Sequence, residues 1–189
     1  MASSAPDALT PRARQIAAAA REILEDEGRE ALTMRRIAEH LGIRAPSLYK
    51  LFPDKQALEA AIISAAFEEQ AELFEKAMAG SADPLADLAT AYRAFARAHP
   101  HLYRLMTDQE LRRDLLAPGV EARAGLPIYL AAGSDADRAR AAWAFAHGMT
   151  MLELTHRFPP DADIDAAWGA GIGAFRAQVR EGRRRAIAL

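Results

Sequence analysis

Between residues 33 and 55 the chain gathers side chains suited to one kind of chemistry. Arg35, Arg36, Arg44, Lys50 and Lys55 are cationic, Ser47 and Tyr49 carry hydroxyls, and Ala45 and Pro46 offer small apolar surfaces. A guanidinium can bond two acceptors on a guanine edge, ammonium and hydroxyl groups reach phosphate oxygens, and Ala or Pro can touch a thymine methyl. Together they suit the major groove of duplex DNA. Total charge does not make this argument, because residues 1–60 hold nine Lys or Arg against nine Asp or Glu. Distribution makes it: acids cluster between Glu22 and Glu30, and the bases fall on the segment that follows.

Other chemistries find no support. With no cysteine there is no disulfide, thiol nucleophile or thiolate metal site, and a reducing, cytoplasmic compartment is expected. His99 and His101, two apart across Pro100, lack the one-face geometry of a helical metal pair. Gly169, Gly171 and Gly173 do not have the spacing of a phosphate-binding loop, and their expected role is close helix approach at a dimer interface. No serine stands in a G-x-S-x-G elbow. The chain is read as a non-enzyme with no cofactor, metal ligand or catalytic residue. No apolar run reaches the roughly 18 residues of a membrane span, and the Ser/Ala/Asp opening lacks the order of a signal peptide.

The periodicity that must position these groups is helical throughout. The composition is 51% hydrophobic, close to half of it alanine, and no convincing strand appears. Thr10 and Pro11 should start a helix that ends at Gly28, and Thr33 a second that ends at Gly42. Pro46 opens a third of about two turns, stopped by Pro53, and Asp54 caps a long fourth that runs to Gly80. Residues 33–52 thus form helix, Gly-containing turn and helix, the size of a helix-turn-helix, with Ile37, Leu41, Ile43, Leu48 and Phe52 as its shared core. Farther on, Asp83 and Pro84 start another helix, Leu102 to Met106 form a short one, and 110–133 reads as short helices with loops. Ser134 with Asp137 suggests a capping box, Asp163 caps a last helix, and Arg183, Arg184 and Arg185 make a basic tail.

The runs ALTMRRIAEHLGI and SLYKLFPDK, preceded by an amphipathic helix with Ile23 and Leu24, closely resemble the tetracycline-repressor (TetR) family over residues 12–62. The resemblance implies that Thr33, Tyr49 and Lys55 contact phosphates, that Arg35 reads a base from the second helix, and that Ala45, Pro46 and Ser47 face the major groove. Arg44 replaces a small capping residue and Leu51 a histidine common in the family, which removes one DNA contact. A weaker resemblance links YRAFARAHPHLYRLM and AWAFAHGMTMLEL to a subgroup named for Trp, His and Gly, here Trp143, His147 and Gly148.

What this implies is an all-α protein with a three-helix DNA-binding domain at 10–58 and a helical bundle for ligand binding and dimerisation at 59–182. It would be a homodimeric, sequence-specific transcriptional regulator, a repressor released from a pseudo-palindromic operator by a small, largely apolar effector. The dimer would form through helices near 135–157 and 164–182. Tyr92, Phe95, Tyr103, Met106, Trp143, His147, Met149 and Met151 are the candidate ligand contacts, each also readable as core. A helical carrier or enzyme with a vestigial DNA-binding motif is the alternative.

Overall fold

A polar residue followed by proline begins the first ordered element. In this computed structural model, which describes residues 9–187 with side chains through residue 179, the Thr10 hydroxyl accepts the Ala13 N–H at 3.2 Å and Pro11 takes the first helical position of α1 (Pro11–Glu27). Ile16, Ala20, Ile23 and Leu24 are buried along one stripe, and Gly28 at φ 82 ends the helix with its N–H on the Leu24 carbonyl. The described elements that follow are α2 (Met34–His40), α3 (Ala45–Tyr49), α4 (Lys55–Met78), α5 (Pro84–Ala98), α6 (Pro100–Thr107), α7 (Val120–Ala131), α8 (Ala136–Leu154) and α9 (Ile164–Ile187). Short 3₁₀ turns lie at Arg29–Ala31 and Arg113–Leu115. Most of the polar opening lies outside the described residues, as do the side chains of Arg183, Arg184 and Arg185 on α9.

The chain divides into two compact units. One contains residues 1–69 and 99–121, the other 70–98 and 122–189. In the first, α1 packs on α2 and α6, and α2 on α3. Ile37, Leu48 and Phe52 are buried as expected, and Leu41 and Ile43 are half-buried. The turn between α2 and α3 closes by two backbone bonds, Gly42 N–H to Glu39 O at 3.1 Å and Ile43 N–H to Ala38 O at 3.0 Å. Gly42 sits at φ 61, where an L side chain is strained, so glycine is what lets α2 end and α3 leave in a new direction. Helix α3 is shorter than the expected two turns. The Leu51 and Phe52 amides both close on the Leu48 carbonyl, and Pro53 disfavours helical geometry at the residue before it.

Residues 110–133 hold loops and the 3₁₀ turn at Arg113–Leu115, as expected, but their second half is one twelve-residue helix, α7, which runs through Gly125 and carries Pro127 in its interior. Ser134 does not cap α8: it lies at φ 57, its N–H closing α7 on the Tyr129 carbonyl, and Asp135 caps instead by accepting the Arg138 N–H at 2.9 Å. Gly171 makes a close contact within the protomer. The Phe145 ring of α8 lies over it, flanked by Trp168 and Phe175 with ring centroids 5.6 and 5.9 Å away.

Thr150 of α8 is 1% exposed, and its Oγ1 has no hydrogen-bond partner among the described residues. A buried hydroxyl without a partner costs about 1–3 kcal/mol. Thr150→Val, which keeps the shape and removes the polar atom, is expected to raise stability by about 1 kcal/mol in urea unfolding.

Candidate nucleic-acid interface

The turn at Gly42 and the core under Leu48 decide which groups of α2 and α3 meet solvent. Arg44, Pro46, Ser47, Tyr49 and Lys50 are exposed, Tyr49 at 51%, and Ala45 is half-buried. Helix α3 therefore presents a polar face with two cations, two hydroxyls and a small apolar step. Arg44 and Lys50 have no carboxylate partner among the described residues. On α2 the exposed Thr33 hydroxyl accepts the Arg36 N–H at 3.1 Å, which leaves its own proton free to donate to a phosphate.

The remaining bases are already engaged. Arg35 donates to Glu39 one turn on at 2.8 Å, and Arg36 reaches back to Glu27 of α1 at 2.5 and 3.2 Å. Lys55 lies 3.6 Å from Glu59, a nearly buried carboxylate that also receives Arg29 at 3.3 Å. The Arg35–Glu39 and Lys55–Glu59 pairs follow from i, i+4 spacing. Arg36 with Glu27 and Arg29 with Glu59 were not legible, because each of those pairs joins two elements. The Arg36 hydrogen bond holds the Glu27 carboxyl below the usual glutamate range, burial opposing and the nearby charges of Arg36 and His40 assisting. A depressed carboxyl stabilises the fold above its unfolded pKa, about 4.3, and that contribution fades as pH falls through the lower folded value. Glu27→Gln should therefore melt below the parent at pH 7, and the gap should close in acid; a gap unchanged from pH 7 to pH 3 would contradict the pairing.

The eight candidate ligand contacts are divided between the two units. Tyr103 and Met106 lie on α6 in the first unit, 1% and 7% exposed. In the second, Tyr92, Phe95 and Met149 are buried, with Tyr92 stacked on Phe74 at 6.2 Å. Met151 and His147 are half-buried, and Trp143 is exposed and stacked on His147 at 6.2 Å. A cleft of about 480 Å³ opens elsewhere in that unit, between α5 and α9, and none of the eight lines it. Its polar wall is Thr90, Arg93, Arg97, Asp165 and Arg176, beside Trp168. Arg93 is fixed between Glu153 at 2.9 Å and Asp165 at 2.5 Å, with its guanidinium carbon 5.7 Å from the Trp168 ring centroid. Arg93, by hydrogen bond and charge, and more weakly Arg97 hold the Asp165 carboxyl below its usual range. The signal was present in the sequence as positions 86, 89, 90, 93 and 97, which recur at helical spacing on α5.

Among the described residues no helix is long and apolar enough to cross a membrane, and no group of three metal-ligating side chains occurs. The family described as bacterial regulatory proteins, tetR family, matches residues 16–62, and the tetracyclin repressor-like C-terminal domain matches residues 85–175. The uncharacterized HTH-type transcriptional regulator Rv0681 of Mycobacterium tuberculosis is 29% identical over 77% of this chain and 71% of its own length. The tetracycline repressor protein class C of Escherichia coli is 50% identical over 44 residues, 23% of this chain and 20% of that protein. A possible TetR family transcriptional regulator from Streptomyces coelicolor A3(2) shares the fold with a TM-score of 0.68 at 20% identity, over 89% of this chain and 98% of that one. BioQ with its double-stranded DNA operator does so with a TM-score of 0.59 at 20% identity, over 88% and 96%. With exposed Arg44 and Lys50 flanking the α3 of a helix-turn-helix, and family matches to both its N-terminal and C-terminal parts, this chain belongs to the tetR family of bacterial regulatory proteins.

Proposed function

We propose that the protein is a homodimeric repressor that holds a pseudo-palindromic operator through α3 and releases it when a small organic molecule binds the helical bundle. The observation that carries this is the α3 face, where Arg44 and Lys50 stand unengaged beside the exposed Ser47 and Tyr49 hydroxyls. Ala45, Pro46 and Ser47 are assigned to base edges. Thr33, Tyr49, Lys50 and Lys55 are assigned to phosphates, Lys55 after letting go of Glu59. Arg35 reads a base once Glu39 yields to DNA, and Arg36, clamped by Glu27, fixes α2 on α1 while its charge adds to the surface. That BioQ has been captured on its operator supports the same use of this fold.

Two copies are needed because one α3 covers only a half-site. Exposed Trp143 and Leu152 on α8 offer apolar area for pairing through α8 and α9. We place the chain in the Trp-His-Gly subgroup on Trp143, His147 and Gly148, all on α8. Paired recognition helices read half-sites about 34–36 Å apart, one DNA turn, or a multiple of it. Effector binding would favour a spacing that fits DNA badly. Adding five base pairs between the half-sites of a selected operator puts them on opposite faces of the duplex. Affinity should then fall at least about tenfold, and sedimentation should show two protomers per intact site. Unchanged affinity, or one protomer per site, would rule out the dimer.

A further inference from the structure

Three arginines reach the cleft between α5 and α9, and their hydrogen-bond donors are only partly used. Arg93 uses Nε on Glu153 and one terminal nitrogen on Asp165, and Arg176 uses one terminal nitrogen on Asp83. Arg97, exposed at the rim, makes no ion pair among the described residues. Of the three carboxylates engaged, only Asp165 belongs to the cleft wall. A guanidinium carries five N–H donors and no acceptor, so this wall offers many donors and few acceptors. The rest of the lining, on both helices, is largely apolar: Ala86 and Ala89 of α5, Ile172 and the Trp168 ring of α9, with Gly169 leaving open space where a Cβ would stand. Its volume of about 480 Å³ lies within the range of small-molecule sites.

We propose that this cleft is a binding site for a small organic carboxylate, whose anionic head pairs with Arg97 and the spare donors of Arg93 one turn before it while its apolar body lies along Trp168, Ile172 and the alanines. Bidentate carboxylate recognition is what a free guanidinium does best. A neutral isostere would leave those donors unanswered. The assignment rests on the ligand-responsive reading above and gives that ligand a place and a charge.

Trp168 reports on the site directly. The chain has two tryptophans, and Trp143→Phe leaves Trp168 as the remaining one, on the full-length protein without DNA. Titration with hexanoate, benzoate and phenylacetate should change its emission saturably, with Kd about 1 mM or tighter for at least one. The matching amides should bind at least tenfold more weakly. Arg97→Gln, which removes an exposed unpaired cation, and Gly169→Leu, which fills the open space, should each weaken that carboxylate tenfold or more. Absence of saturation with all three acids, equal binding of acid and amide, or binding indifferent to both substitutions would overturn the proposal. Operator binding is measured separately, on the parent protein with Trp143 in place. Carboxylate binding without DNA binding would overturn the regulator reading and leave the cleft assignment standing; DNA binding without carboxylate binding would do the reverse.

Discussion

Lys50→Glu is expected to weaken operator binding by about 100-fold or more at moderate salt, an effect of roughly 2.7 kcal/mol. Lys50 is exposed at the end of α3 and has no carboxylate partner among the described residues, so the fold gives up nothing when it changes. At the interface the substitution removes one phosphate contact and sets an anion against the DNA backbone. The plot of log affinity against log salt should become shallower by about 1, because fewer counterions are released. Thermal stability should stay within about 0.5 kcal/mol of the parent. Arg36→Gln is the instructive contrast, since it breaks the clasp on Glu27 and should lower stability as well as affinity. Full operator affinity in the Lys50 variant would show that α3 does not face the DNA.

Gly171→Ala should be the most damaging single methyl added to the second unit. An added Cβ would approach three atoms of the Phe145 ring closer than 3.0 Å, and that ring is held by Trp168 and Phe175 on either side. Overpacking of this kind costs about 1–3 kcal/mol, and each kcal/mol lowers Tm by about 2–4 °C in a chain of this length. Gly169→Ala, two residues earlier, meets open space and should be neutral or stabilising by up to about 1 kcal/mol. Phe145→Leu should shrink the cost of Gly171→Ala in a double-mutant cycle. Equal melting temperatures for the two alanine variants would contradict the packing of α8 on α9.

Local rules carried well from sequence to structure. Thr10, Thr33, Asp54 and Asp163 each accept a backbone N–H three residues on, because capping depends on neighbours in sequence. Gly42 and the buried Leu48 were legible for the same reason. Ser134 misled because Gly133 and Ser134 are consumed in ending α7, which passes the capping role to Asp135. Asp83, a cap in the sequence reading, gives its carboxylate to Arg176, 93 residues away. Long-range pairings such as Arg36 with Glu27 or Phe145 over Gly171 leave no spacing signal. The cleft was not legible because its wall is built from arginines and alanines, whose pattern is that of an ordinary solvated face.

The central claim is sequence-specific DNA recognition by α3. It is tested most directly by selecting duplexes from a random pool with the purified protein and measuring anisotropy of the winner and its scrambled form across a salt series. The account predicts an enriched inverted repeat, bound far more tightly than the scrambled duplex, with log affinity falling linearly in log salt. Recovery of no motif, or equal binding of selected and scrambled DNA at every salt concentration, would contradict it.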